Sequence, residues 1–248
     1  MRHARRRAIG RYRHTARSSP TVELVACSEP LPSPEKARRE GNASCSNADP
    51  IMILSHNGKK PTIDPSAYIA PTATVCGDVV IGAHCRIMFG ACLVAEGSSI
   101  EIGTHCIVLE NAVIRSTSRH STRIGDHCLI GPNAHVTGCT TKDEVFIATG
   151  AAVFHGAVLE ARSEVRVNGV VHLKTRLPEK TTVPISWIAV GDPVSILPPD
   201  RHDAIWKIQE PLNFPLVVYG YDRSEANMIK ITERMSQFLS SHADDQEA

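Results

Sequence analysis

A hydrophobic residue returns every six positions along most of this chain. Ile63, Ile69, Val75, Ile81, Ile87 and Leu93 form an unbroken series. Three additional residues intervene before Ile102, Val108 and Ile114, and four more before Ile124, Ile130 and Val136. A step one residue short passes through Thr141, and the series ends with Ile147, Val153, Leu159, Val165 and Val171. An amphipathic helix repeats near 3.6 and a half-buried strand at 2. A period of six fits neither. It fits a coil of three short flat strands, with about eighteen residues to each turn. The pattern predicts an all-β solenoid of parallel strands.

Small residues occupy the fifth position of each hexad: Ala67, Ala73, Cys85, Ala91, Cys106, Ala112, Cys128, Ala134, Ala151 and Ala157. A narrow triangular coil has room for one branched aliphatic and one small residue per face, because its interior is close-packed. Glycine follows the aliphatic in Ile81-Gly82, Ile102-Gly103, Ile124-Gly125 and Ile130-Gly131, where a corner is expected. The two insertions, after Leu93 and after Ile114, fall on the same corner one turn apart. Loops gathered in this way mark the working side of a solenoid.

Outside the hexads the pattern divides the chain into four parts. Residues 1–51 have no period and open with seven arginines before any acid, so they are expected to be a disordered or non-native extension. Met52 is a natural start for the ordered part. Residues 52–197 form the β-helix, with the repeat decaying after Val171. Residues 198–242 form a helical extension that begins near Pro198-Pro199-Asp200 and continues through the extended or irregular stretch 210–222. It ends in a helix capped by Ser224, whose stripe Met228, Ile231, Met235, Phe238 and Leu239 is apolar. Residues 243–248 are expected to fray.

Composition adds few constraints. With 27 basic and 26 acidic residues, the chain has no general attraction for nucleic acid or anionic membrane. No apolar run approaches the eighteen residues of a membrane span. Eight cysteines without a CxxC pair read as reduced thiols, three of them in the small inward position. This suits a reducing compartment, and cytoplasmic residence is expected. The arginine-rich residues 1–20 leave organellar targeting as the alternative.

The segments "CGDVVIG", "IMFGACLVAEGSSIEIG", "VLENAVIR", "LIGPNAHVTGCT" and "WIAVGDPVSIL" resemble, in order and spacing, the γ-class carbonic anhydrase family of hexapeptide-repeat proteins. The resemblance covers roughly residues 60 to 200. It implies a left-handed parallel β-helix, a homotrimer, and zinc held between subunits by three histidines. Such zinc keeps an open position for water, whose lowered pKa supplies hydroxide.

The matching positions here are Arg115, Pro132 and Thr137. A guanidinium is not a neutral donor, proline has no donor atom and threonine is a poor one. The supporting positions Glu96 and Leu109 also depart from the family pattern. No metal or other cofactor is expected by family match. The expected function is a non-catalytic or repurposed trimer, serving as a scaffold, subunit or small-ligand binder. Arg115, Thr137 and His135 are the candidate residues for a small anion or carboxylate.

The alternatives are enzymatic. One is carbon dioxide hydration with a different metal set. The other is acyl transfer of the hexapeptide type with a histidine base. His155, Glu96 and Glu110 are the catalytic candidates, and His120 lies nearby. His84, His105 and His127 each precede an inward cysteine on one face, forming an outward ladder about 4.8 Å per rung that offers a weaker metal alternative.

Overall fold

The computed structural model describes residues Met52–Ala248, so the expected extension 1–51, with Cys27 and Cys45, lies outside the described residues. The hexads wind into a left-handed parallel β-helix with three sheets along its length. In the first sheet Ile63, Ile81, Ile102, Ile124, Thr141, Leu159 and Leu177 lie in one row. In the second the row is Ile69, Ile87, Val108, Ile130, Ile147, Val165 and Val183. In the third it runs from Ile53 through Val75, Leu93, Ile114, Val136, Val153 and Val171 to Ala189.

These rows are the core. Fifteen of their members, from Val75 and Ile87 to Val183 and Ala189, are sealed from solvent altogether. Between the rows pack the small residues, with Ala73, Cys85, Cys106, Ala112, Ala134 and Ala151 equally inaccessible. Thr141 takes an aliphatic's place in the short step, and its hydroxyl accepts the Gly125 N–H at 3.2 Å, so the inward polar group is satisfied. The six described cysteines are all unpaired thiols. Burial pushes the Cys139 thiol up to about 12, which keeps it protonated and inert.

Several expectations need correction. The repeat does not decay after Val171, because Leu177, Val183 and Ala189 continue it as fully buried residues. The glycines after the aliphatics do not supply a left-handed backbone. A Cβ at Gly125 would lie 2.6 Å from the Lys142 carbonyl carbon, and one at Gly131 would lie 2.7 Å from that of Ala148, so successive coils approach too closely for any side chain. The left-handed corners are taken instead by residues such as His84, Asn111, Asn133 and Lys174.

The segment 210–222, expected to be extended, contains a 3-10 turn and a short helix. The helices are α1 (His202–Gln209), α2 (Phe214–Tyr219) and α3 (Met228–Leu239). Asn227 rather than Ser224 caps α3, accepting the Lys230 N–H at 3.0 Å; Ser224 instead closes a turn on Asp222. The tail is not frayed, because Gln246–Glu247 pairs antiparallel with Met52–Ser55 at the open end of the third sheet. That unpaired edge attracts a strand, a constraint that reading the tail alone does not reveal.

Replacing Ile102 by Asp places a charge where the first row has no room for water. It is expected to destabilise the coil by more than about 4 kcal/mol in thermal or denaturant melts. The outward Val80→Lys on the same sheet should change stability by no more than about 0.5 kcal/mol. A normal melt for Ile102→Asp would refute the register.

Candidate functional site

The two insertions leave adjacent strands of the third sheet, Cys92–Ala95 and Val113–Ser116, which pair in register. They therefore stack as neighbouring loops, as the spacing requires. Buried hydroxyls fix them in place. Ser116 donates to the Ser98 carbonyl, and Thr122 donates to the Arg115 carbonyl while accepting the Gly138 N–H at 2.8 Å. The strand ends are thereby held against the loops, and Val94, Arg115 and Thr137 lie side by side on the outer face.

Arg115 pairs with Glu96, which is only 5% exposed. Beside them the Thr137 hydroxyl lies 2.8 Å from His135 Nε2. These four residues, with His155, line a cavity of about 330 Å³. Five of the residues named from sequence therefore meet in one place: Glu96, Arg115, His135, Thr137 and His155. Glu110 does not join them. Its backbone carbonyl accepts the Asn133 N–H at a corner, and its side chain is outside the cavity lining. His120 packs edge-on against His155, with ring centroids 5.6 Å apart.

The roof of the cavity comes from the helical extension. Phe214, Val217 and Tyr219 of α2 and Ile231, Met235 and Phe238 of α3 face the sheet, with Arg234 and the loop residue Arg119 at the rim. The apolar stripe of α3 was legible in sequence. Its place over the insertions was not, because no local pattern specifies which face of the coil receives it.

The exposed ladder His84, His105 and His127 forms as expected, with ring centroids 4.7 and 5.0 Å apart. Each member sits at a left-handed corner, with φ between 55° and 59°. The stack thus follows from one corner repeated on three coils.

The imidazoles of the cavity are held neutral. Burial lowers the pKa of His155 to about 4, helped by the neighbouring His120, His135 and Arg115. Burial likewise lowers His135, with Arg115 adding to it, and lowers His120 and His172. The Nδ1 atoms of His155 and His120 are buried without a hydrogen-bond partner. An unpaired buried polar atom costs roughly 1–3 kcal/mol.

The titration of His155 has a definite sign. Unfolded, it takes up a proton near the ordinary imidazole value; folded, it does so only near pH 4. Between those values the unfolded chain binds more protons, so stability falls as pH drops from about 7 towards 4 and is flat above. His155 accounts for at most about 3 kcal/mol of this loss. His155→Gln should visibly flatten the dependence of melting temperature on pH over that window. An unchanged slope would contradict the burial of the neutral ring.

No protein-family profile matches the chain. It is 35% identical over 126 residues to γ carbonic anhydrase 1, mitochondrial, of Arabidopsis thaliana, covering 48% of this chain and 46% of that one. It is 26% identical over 106 residues to a carbonic anhydrase of Geobacillus kaustophilus, covering 43% of this chain and 58% of that one. Among solved structures, a hexapeptide transferase family protein from Anaplasma phagocytophilum aligns over 78% of this chain and 95% of its own. Its TM-score is 0.44 and its identity 20%. The chain spans about half the length of the curated relatives it matches. Over about half its length the chain is therefore similar to the γ-carbonic-anhydrase group of hexapeptide-repeat proteins.

Proposed function

We propose that this chain is a non-catalytic member of that group whose pocket binds a small carboxylate-bearing molecule. The observation that carries the reading is Arg115. A guanidinium stands where the resemblance expects an imidazole, and it lines a cavity beside Thr137. The three family-matched positions do not suit zinc. Arg115 is engaged with Glu96, Pro132 has no donor atom, and the Thr137 hydroxyl is engaged with His135.

The lining has the character of a carboxylate site. Arg115, Arg119 and Arg234 oppose the single acid Glu96, and the histidines are neutral, so an anion is favoured. The six apolar residues of the roof suit a ligand with a hydrocarbon or aromatic body. The unpartnered His155 Nδ1 would gain a polar partner from such a ligand. Acyl transfer is less well supported, because a histidine titrating near 4 is a weak base at neutral pH.

The homotrimer implied by the family resemblance belongs to this proposal. Its support here is a run of three adjacent outward apolar residues on the second sheet, Ile107, Leu129 and Phe146. No helix among the described residues is long and apolar enough to cross a membrane. The unpaired thiols favour a reducing compartment, which suits both the cytoplasmic reading and its alternative, organellar targeting through residues 1–20.

Calorimetric titration with a panel of small aliphatic and aromatic carboxylates tests the pocket. At least one should bind, and Arg115→Gln should weaken it about 10- to 100-fold, the worth of a charge-assisted contact. A panel that binds nowhere would contradict the ligand assignment. Carbon dioxide hydration above the uncatalysed rate would contradict the non-catalytic reading.

A further inference from the structure

Two strands along the third sheet from Arg115, at the seam where the two ends of the described chain meet, four metal-binding side chains converge outside the pocket lining. They are His56, Cys76, His242 and Asp245, each offering a ligand atom within 4.8 Å of the others. His56 follows the strand Met52–Ser55, and Cys76 ends the next strand of the same sheet. His242 and Asp245 come from the turn after α3, and the paired tail Gln246–Glu247 follows them. His56 and Cys76 are 3% and 2% exposed. The geometry points to a structural site for a zinc-like divalent transition metal that clamps the C-terminal segment to the open end of the β-helix.

The contacts within the cluster are those of a site filled by protons. Asp245 Oδ1 lies 2.6 Å from His56 Nδ1, and Oδ2 lies 2.8 Å from His242 Nδ1. The Cys76 thiol points at the same Oδ2 from 3.5 Å, and the two imidazoles stack with centroids 4.2 Å apart. A hydrogen-bonded clasp needs one imidazole and the carboxylate. The second imidazole and the buried thiol are surplus to it, yet they complete a set of two nitrogens, one sulfur and one oxygen that suits tetrahedral zinc.

Metal–ligand bonds of about 2.0–2.3 Å set tetrahedral ligands roughly 3.3–3.8 Å apart, so the contacts of 2.6 and 2.8 Å would open and the wider separations, up to 4.8 Å, would close, each by about an ångström. The dication would displace the thiol proton to solvent, one proton per metal. Each imidazole would bind through Nδ1 as the neutral ring, its proton moving to Nε2. On His56 that nitrogen already lies 2.8 Å from the Asn57 side-chain amide, whose oxygen can accept the proton after a half-turn. Because α3 runs into this turn, an ion here would also fix the helix that roofs the pocket.

The test uses the full chain, stripped with chelator and titrated with cobalt(II) and then zinc(II). The expected result is one equivalent bound, with tetrahedral visible bands and a thiolate-to-cobalt absorption in the near ultraviolet. Zinc should raise the melting temperature and slow amide exchange in residues 240–248. Cys76→Ser should lose the thiolate band, and His242→Ala should lose the bound equivalent while retaining the β-sheet circular dichroism. The inference is overturned if wild type shows no thiolate–cobalt absorption, or if that absorption persists in Cys76→Ser. Arg115→Gln should leave metal binding unchanged, so this result and the carboxylate assignment can fail separately.

Discussion

The rest of the molecule follows from the narrowness of the coil. Three flat faces enclose so little space that each hexad can send inward only one branched aliphatic and one small residue. Successive coils approach so closely that Gly125 and Gly131 cannot carry a side chain. A core this thin cannot hold a pocket, a metal or a charged group. Its rows are accordingly aliphatic, and the one inward hydroxyl in the short step is satisfied by a backbone N–H. Chemistry must therefore be carried outside the coil, where residues leave the hexad count or where other elements pack on its faces.

Both sites described above obey that constraint. The cavity forms where the insertions after Leu93 and Ile114 stack on one corner and where α2 and α3 cover the outer face of the third sheet. Its polar floor comes from alternate outward positions of that sheet, and its apolar roof from helices outside the repeat. The cluster of His56, Cys76, His242 and Asp245 forms at the end of the same sheet, where stacking stops and an unpaired edge is available to the tail. The helix α3 joins the two places, lining the cavity with one face and leading into the clamp at its end.

The coil was legible in sequence because period six is set locally, residue by residue, by the width of the interior. The register of Ile63, Ile81 and Ile102, the ladder of His84, His105 and His127, and the shared corner of the insertions all follow from counting. The continuation through Leu177, Val183 and Ala189 was obscured by prolines and charged residues at the outward positions, which the coil tolerates. The meeting of Glu96, Arg115, His135, Thr137 and His155 was partly legible, since strand register places them together. The roof and the tail strand were not. Where a helix lands on a solenoid face, and whether an open edge captures a distant strand, depend on tertiary contacts between segments far apart in sequence. His56 and Asp245 are 189 residues apart, and no local pattern connects them.

The central claim is that the scaffold of a γ-carbonic-anhydrase-like protein is retained while its pocket recognises a carboxylate through Arg115 in place of zinc. Crystals soaked in zinc and measured on both sides of the zinc absorption edge address it directly. The account predicts no anomalous peak in the cavity beside Arg115 and Thr137. A strong peak there, coordinated by side chains of one or more subunits, would contradict it.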